Sequence, residues 1–466
     1  MEANLLAHDR RKILRKTYVS LVVFCLLMIP VSRVTASTWQ VERMVTDPVF
    51  AAQVYLREAG VGNQQMLLLI HGVGPEAGSI WDDIVPDLAQ KYHVIAPDLP
   101  GFGRSSKGNQ LYSPEAYADF LAGLIQGLPT KPVTLAGHSL GGAIALMYAA
   151  HHGSELDRLI LIDAVGLLHR LAVSQNFARQ LLQFDVPFTS AKVESSLGSI
   201  ASLLLEKTSR IPLDPKLVLS TPLLRKKFLA ADPTRISALA LVETDYSLLL
   251  EKVQTPTWLI WGTEDEIASL RIAKVLDWNL PRAELMLLPE LGHSPMLEDI
   301  DSFKVALWRA LQESPEGKTS RPTAAKQKVG RCDQEDGKIF SGYYSSLQIN
   351  NCRDVLLRNA VVSDLQIVDS QVVIEASTLQ GSAHHSALSL LRSSVVISGA
   401  DIIAETGVTL NQSRIDLAGV RFVGSKSAVK AEGNPSSILC SSSVKHTGGA
   451  VETLHLSQSM VAGEHL

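Results

Sequence analysis

The sequence predicts two architectures in one chain: a parallel α/β sheet carrying an inserted helical cap, then an all-β domain of short stacked coils. Three observations carry this. Short apolar runs of strand length alternate with helical stretches from Met66 to Pro289, the pattern of a parallel sheet. One helical stretch, about 167–250, is far too long to be a plain connection. After a polar segment at 313–331 the helical pattern stops, and an aliphatic register begins that repeats every 18 to 23 residues or so.

With 466 residues the chain has room for two or three domains. Its 46% hydrophobic and 19% charged residues suit a globular protein with a large core. A formal net charge of −4 offers no basic surface for nucleic acid.

Residues 1–36 read as an export signal. Arg10-Arg11-Lys12 opens a basic segment, Tyr18 to Val31 is an apolar run, and Val34-Thr35-Ala36 fits a small-residue cleavage site before Ser37. The run at 18–31 is short for a spanning helix. Its alternative reading is an uncleaved anchor that associates the protein with a membrane and faces it to the periplasm. Cys25 would leave with the signal. Of Cys332, Cys352 and Cys440, a Cys332–Cys352 disulfide and buried free thiols both remain open. No spacing of these cysteines suits zinc, and neither a metal nor a cofactor is expected.

The main domain is expected over 37–312. Opening strands lie between Trp39 and Gly60. Met66 to Ile70 is apolar on every residue, as central parallel strands are. A helix is expected over Trp81 to Gln90, then strands at His93–Ala96, Pro132–Ala136, Leu159–Asp163, Trp258–Gly262 and Leu285–Leu288. The cap, about 167–250, carries Leu171, Phe177, Leu181, Leu182, Phe184, Phe188 and Leu203 to Leu205 as candidates for internal packing or for lining a pocket. Residues 313–331 have linker composition, so few contacts are expected to cross between the two domains.

The chemistry centres on Gly137-x-Ser139-x-Gly141, between an apolar strand and the helical run Ala143 to Ala150. A nucleophilic serine on a sharp strand-to-helix turn has this spacing. A serine hydroxyl needs a base, and the base a carboxylate to orient it. Both follow in chain order: Asp265 in the loop after one strand, and His293, in Gly292-His293-Ser294, after the next. Glu264 and Asp163 are alternative acids. The backbone N–H groups of Leu140 and Val73 are the candidate oxyanion donors. His138 is read as structural, His151 and His152 as helix-end residues, and Asp98 as a tie within its own loop.

His71-Gly72-x-Gly74, Asp98-Leu99-Pro100-Gly101-Phe102-Gly103-x-Ser105, Gly137-His138-Ser139-Leu140-Gly141-Gly142, Gly262-x-x-Asp265 and Gly292-His293 together resemble the α/β-hydrolase fold family over about residues 40 to 312. That likeness implies the fold, the Ser139–His293–Asp265 triad and a capped pocket. A serine at the nucleophile position sets the chain apart from haloalkane dehalogenases and epoxide hydrolases, which use aspartate there. The chain is similar to carboxylesterases, lipases and C–C bond hydrolases. Cleavage of a small-molecule carboxylic ester is the main expectation. Hydrolysis of a vinylogous diketone is the alternative within the class, and a non-catalytic binding module the alternative outside it.

The C-terminal domain is expected over 332–466. Anchored on Cys352, Ser370, Ser393 and Ser413, aliphatics recur five residues before (Leu347, Leu365, Leu388, Val408) and three before (Ile349, Ile367, Leu390, Leu410). They recur again four after (Leu356, Ile374, Ile397, Leu417) and nine after (Val361, Leu379, Ile402, Phe422). Stacked coils need such ladders, and the pattern resembles a short right-handed parallel β-helix, with a β-sandwich or a leucine-rich repeat as rivals. Docking to a polysaccharide or an envelope protein is the default role; His384-His385 are read as loop residues. For export, N-terminal sequencing of protein from its native host should find Ser37 or a near neighbour. Intact Met1 in a soluble cytosolic fraction would refute that expectation, and intact Met1 in membranes would favour the anchor.

Overall fold

The computed structural model describes residues 39–167, 214–246, 249–316, 328–382, 385–432, 436–440, 444–447 and 460–462. The expected export signal, the cap apolar residues expected from Leu171 to Leu205, and His384 lie outside the described residues. Among the described residues no helix is long and apolar enough to cross a membrane.

The first half is one eight-stranded sheet with helices on both faces. In chain order its strands are β1 (Val41–Asp47), β2 (Ala52–Ala59), β3 (Gln65–Ile70), β4 (Tyr92–Pro97), β5 (Val133–His138), β6 (Leu156–Ile162), β7 (Thr257–Gly262) and β8 (Ala283–Leu288). In space they run β1-β2-β4-β3-β5-β6-β7-β8. The strands from β4 to β8 are mutually parallel, and β1–β2 form an antiparallel edge. The central strands are buried on both faces, which explains their uninterrupted apolar sequence.

The helix expected over Trp81 to Gln90 reduces to a 3-10 turn at Ala77–Trp81 and a single turn, α1 (Val85–Leu88). Pro86 has no N–H with which to continue a helix from the preceding residues. Helix α2 (Pro114–Gln126) starts where Ser113 Oγ accepts the Ala116 N–H. Helix α3 (Leu140–His152) is buried along its length from Leu140 to Ala149, as a helix apolar all round must be. The described part of the cap is helical: α4 (Pro215–Ser220), α5 (Pro222–Leu229) and α6 (Pro233–Glu243). Each opens on a proline in the first turn, where its missing N–H costs nothing. Asp214 and Asp232 cap α4 and α6. Then come α7 (Leu270–Asn279), α8 (Pro295–Glu298) and α9 (Ile300–Gln312).

The second half is built of parallel coils. Strands β9 (Lys328–Asp333), β10 (Ile339–Asn350), β11 (Val355–Val362), β12 (Leu365–Val368), β13 (Gln371–Gln380), β14 (Leu388–Leu391), β15 (Ser394–Ile403), β16 (Thr406–Asn411), β17 (Arg414–Val423), β18 (Ser427–Glu432) and β19 (Ser436–Cys440) stack in two parallel ladders. β20 (Val444–Thr447) and β21 (Met460–Ala462) follow, β21 pairing antiparallel with β19. The parallel register sets aside the β-sandwich and, having strands in place of helices, the leucine-rich repeat. This is a β-helix-like domain, and its first strand starts at Lys328, inside the expected linker.

The expected anchors sit at one corner of every coil. Cys352, Ser370, Ser393 and Ser413 each give their N–H to the next anchor's hydroxyl, at 2.9, 3.1, 3.0 and 3.3 Å, Ser436 being the last acceptor. The hydroxyls of Ser370, Ser393 and Ser413 in turn donate to carbonyls two residues back. Leu347, Leu365, Leu388 and Val408 pair in sequence, as do Ile349, Ile367, Leu390 and Leu410. In the first coil the positions after the anchor are corrected by one. Leu357, not Leu356, pairs with Ile374, and Val362, not Val361, pairs with Leu379. The extra residue lies in the turn Arg353–Asp354, where Asp354 takes φ 53°, and a shift of one exchanges inward for outward side chains. Cys332 and Cys352 form a disulfide.

The two halves do not hang apart. Helix α7 lies on β13, β15 and β17. The Arg271 guanidinium reaches both Asp416 carboxylate oxygens (2.9 and 3.1 Å), Ser398 Oγ (2.9 Å) and the Ile397 carbonyl (3.0 Å). Lys274 Nζ meets Glu375 at 2.6 Å. Trp278 covers Gly399, where an added Cβ would lie 2.6 Å from the Trp278 Cβ, and Ala418 joins the apolar cluster of the first half. The expectation of few crossing contacts therefore fails. Arg271→Ala removes a largely buried fork of hydrogen bonds and should cost about 3 kcal/mol in urea unfolding. Gly399→Val should lower stability too, because the residue sits at φ +70° against Trp278. A chain ending after Glu316 should melt well below the full protein or precipitate. Equal unfolding midpoints for all of these would show that the contacts carry no stability.

Candidate active site

β5 runs into a turn at Ser139, whose backbone is held at φ 54°, ψ −118° before α3 begins. Such a conformation is costly for a residue with a side chain. It persists because Ser139 N–H bonds the Ile162 carbonyl at 3.0 Å, while its own carbonyl accepts Gly142 N–H at 3.0 Å and Ala143 N–H at 3.2 Å. Strand and helix cross so tightly here that a Cβ on Gly137 would collide with the Gly141 backbone.

The structure brings the three residues expected from chain order into contact. His293 Nε2 lies 2.9 Å from Ser139 Oγ, and His293 Nδ1 lies 2.8 Å from Asp265 Oδ2. All three residues are buried. The other Asp265 oxygen accepts the N–H groups of Ile267 and Ala268, each at 2.8 Å, so the carboxylate is fixed at both ends. An ionised Asp265 accepts from Nδ1–H, which leaves the Nε2 lone pair facing the serine. The loop around His293 is pinned by Glu298, which accepts from Gly292 N–H and Ser294 N–H.

Leu140 opens α3, so its N–H is among those with no acceptor within the helix. Val73 follows Gly72, where a Cβ would stand 2.7 Å from Ser139 Cβ; the loop that carries the second expected donor thus presses against the serine.

The other candidates fall elsewhere. Glu264 is exposed while its neighbour Asp265 meets the histidine. Asp98 does tie its own loop, accepting Gly78 N–H at 2.9 Å and Arg104 N–H at 2.8 Å. His151 and His152 end α3. Three buried groups have roles that chain order does not reveal. His138 Nε2 lies 2.7 Å from the His293 carbonyl and so donates to it; burial, then the neighbouring His293, push its pKa down to about 3. His71 gives Nδ1–H to the Gly72 carbonyl and takes Leu99 N–H on Nε2, and burial lowers its pKa. Asp163 accepts Gly262 N–H at 2.9 Å; burial, then the Asp265 charge, raise its pKa well above the usual carboxylate range. The only hint of this in sequence is its place at the end of β6.

The alpha/beta hydrolase fold family model matches residues 65–300, and the chain belongs to that family. An uncharacterized protein of Mycobacterium tuberculosis is 30% identical over 257 residues, 52% of this chain and 74% of that protein. Lipase 3 of a Moraxella species is 28% identical over 238 residues, 50% of this chain and 73% of the lipase. A 2-hydroxymuconate semialdehyde hydrolase of a Pseudomonas species is 28% identical over 261 residues, 53% of this chain and 86% of that enzyme. These likenesses support hydrolase activity.

The buried neutral groups set a pH dependence of stability. His138 is refused a proton in the fold that it accepts, near its ordinary value of 6.5, once unfolded. Stability should fall as pH drops from 6.5 toward 3, and His138→Gln should flatten that decline. Asp163 acts with the opposite sign. The unfolded carboxyl ionises above its ordinary 3.8 while the folded one stays neutral, so stability is lost as pH rises. Asp163→Asn keeps an acceptor for Gly262 and cannot ionise. Its melting temperature should exceed the parent's at pH 7, with the gap closing below pH 4; a gap independent of pH would contradict a neutral Asp163.

Proposed function

We propose that this protein is a serine hydrolase that cleaves carboxylic esters through an acyl-enzyme on Ser139. The observation that carries the reading is the pair of contacts His293 Nε2–Ser139 Oγ (2.9 Å) and His293 Nδ1–Asp265 Oδ2 (2.8 Å). His293 takes the hydroxyl proton as Ser139 Oγ bonds to the ester carbon, and Asp265 stabilises the imidazolium. The N–H groups of Val73 and Leu140 receive the oxyanion. Collapse breaks the bond to the alcohol oxygen, to which His293 returns the proton. Water, deprotonated by the same His293, then releases the acid and restores the serine. Likeness to a lipase supports an ester substrate.

The similarity to 2-hydroxymuconate semialdehyde hydrolase, which extends over 86% of that enzyme, favours one second reading, C–C hydrolysis of a vinylogous diketone by the same serine. We further propose that the protein is exported to the periplasm or beyond, since 1–36 reads as a signal and Cys332–Cys352 is a disulfide, a bond that persists in oxidising compartments.

A fluorophosphonate should label the wild type and not Ser139→Ala. On short p-nitrophenyl esters, Ser139→Ala and His293→Ala should each lower kcat by ~10⁴-fold or more, and Asp265→Asn by ~10⁴-fold. Labelling that survives in Ser139→Ala would overturn the assignment. Folded wild type that takes no label would point to a binding module instead. Turnover of a ring-fission diketone without ester turnover would select the second reading.

A further inference from the structure

The corner of the coils that holds the serine ladder opens outward into a groove of about 490 Å³. Its lining is confined to arginine, serine, glutamine and one aspartate, with no apolar or aromatic side chain. The ladder hydroxyls of Ser370, Ser393 and Ser413 are already spent on the backbone. What faces the groove is the row just after the anchors: Arg353, Gln371, Ser394 and Arg414. Ser394 pairs with Arg414 and with Gln371 in the parallel register, so this row runs along the coil axis. The side chains of Arg353 and Arg414 make no hydrogen bond or ion pair with any described residue.

The residue just before each of the first four anchors is left-handed: Asn351 at φ 51°, Asp369 at 49°, Arg392 at 46° and Gln412 at 47°. Asparagine and aspartate tolerate this conformation, whereas arginine and glutamine are strained in it. In the middle of the groove the chain thus places a cation where asparagine would sit with less strain. Arg392 pairs with Asp369 at 2.7 and 2.6 Å, but the pair is exposed and ion pairs at the surface contribute little. Stability therefore does not explain the arginine.

We infer that this groove binds an acidic polysaccharide laid along the coil axis. Arg353 and Arg414 stand three coil steps apart, ~14 Å at the usual strand spacing, too far for one small anion to bridge. Between them lie the neutral donors Gln371 and Ser394. Guanidinium groups pair with carboxylate or sulfate in two parallel bonds, and amide and hydroxyl groups pair with sugar hydroxyls, so two cationic ends with neutral donors between them suit a hydroxyl-rich chain that carries acidic groups along its length. A nucleic acid would lack stacking platforms here, and an acidic peptide would find no apolar pocket for its side chains. This site is separate from Ser139 and its neighbours, and from the residues that α7 touches, so it stands or falls apart from the ester reading.

The test uses the full chain and equilibrium binding to fluorescent polygalacturonate at low salt, with neutral dextran and poly-glutamate as comparison polymers. Binding to the polyuronate, not to dextran, and at least tenfold weaker to poly-glutamate, is expected. Arg353→Gln with Arg414→Gln should weaken it at least tenfold. A control pair on the exposed cap surface, Lys216→Gln with Lys226→Gln, removes the same charge and should leave it unchanged. Arg392→Asn should weaken binding severalfold while keeping or raising the melting temperature. Equal loss in the control pair would mean general charge attraction, and equal binding of poly-glutamate would mean an acidic protein partner. Either of those, or no polyuronate binding at all, overturns the proposal. An Arg392→Asn protein that melts lower and binds normally would overturn the part assigned to Arg392.

Discussion

The backbone at Ser139 is held where few residues with a side chain can stay, at φ 54°, ψ −118°. Strain of that kind costs about 1–3 kcal/mol and survives only where the surroundings leave no alternative. Here they do so from both sides. β5 is locked between β3 and β6, and α3 is buried over nearly three turns directly after the serine. Relaxing the turn would require pulling either element from the core. The glycines around it follow from the same crossing: Gly137 meets Gly141, and Gly72 meets the serine's own Cβ. The hydroxyl is thereby lifted out of the sheet, toward the loops that follow β7 and β8.

Those loops must then deliver an acid and a base without adding stray charge to a dry site. Besides His293 and Asp265, the described residues place His138, His71 and Asp163 in the buried interior about the site, and burial disfavours the charged form of each. His138 and His71 are held unprotonated by burial, and each spends its ring N–H on a carbonyl of the active-site loops. Burial pushes the Asp163 carboxyl toward its protonated form, and it supports the Gly262 backbone just before the Asp265 loop. That leaves Asp265 as the anion that the imidazolium would meet. A second ionised carboxylate beside it would compete for the same proton and cost the desolvation of another charge.

Much of this was legible in the sequence because it rests on local patterns. The order Ser139, Asp265, His293 and the strand ends preceding each of them are enough to assemble the site. The anchors Cys352, Ser370, Ser393 and Ser413 mark the coil corner because only small side chains fit a ladder of hydroxyl-to-amide bonds. The misplaced Leu356 and Val361 show the limit of such reading, since one extra turn residue moves every later side chain to the other face and leaves composition unchanged. Burial was the missing variable for His138 and Asp163. Each could be seen as a titratable residue in the right place, but not that it would be neutral. The contact between the halves was missed for another reason. Arg271, Lys274 and Trp278 share one face of α7, and arginine and lysine on a helix face look like a solvated surface until a partner with Glu375 and Asp416 is present.

That missed contact links the two architectures. Helix α7 begins immediately after the loop in which Ile267 and Ala268 hold Asp265 by their N–H groups. Its outer face is clamped by Asp416, Glu375 and the close backbone approaches at Gly399 and Gly419, and its inner face packs in the core of the first half through Ile272, Ala273 and Leu276. A helix held on two faces cannot tilt or unwind its first turn freely. The coil domain thereby braces the helix that follows the Asp265 loop. Stacked coils suit this task because each presents the same corner at a fixed spacing. The helix rests on three successive rungs, β13, β15 and β17, and a single flexible loop could offer no such platform.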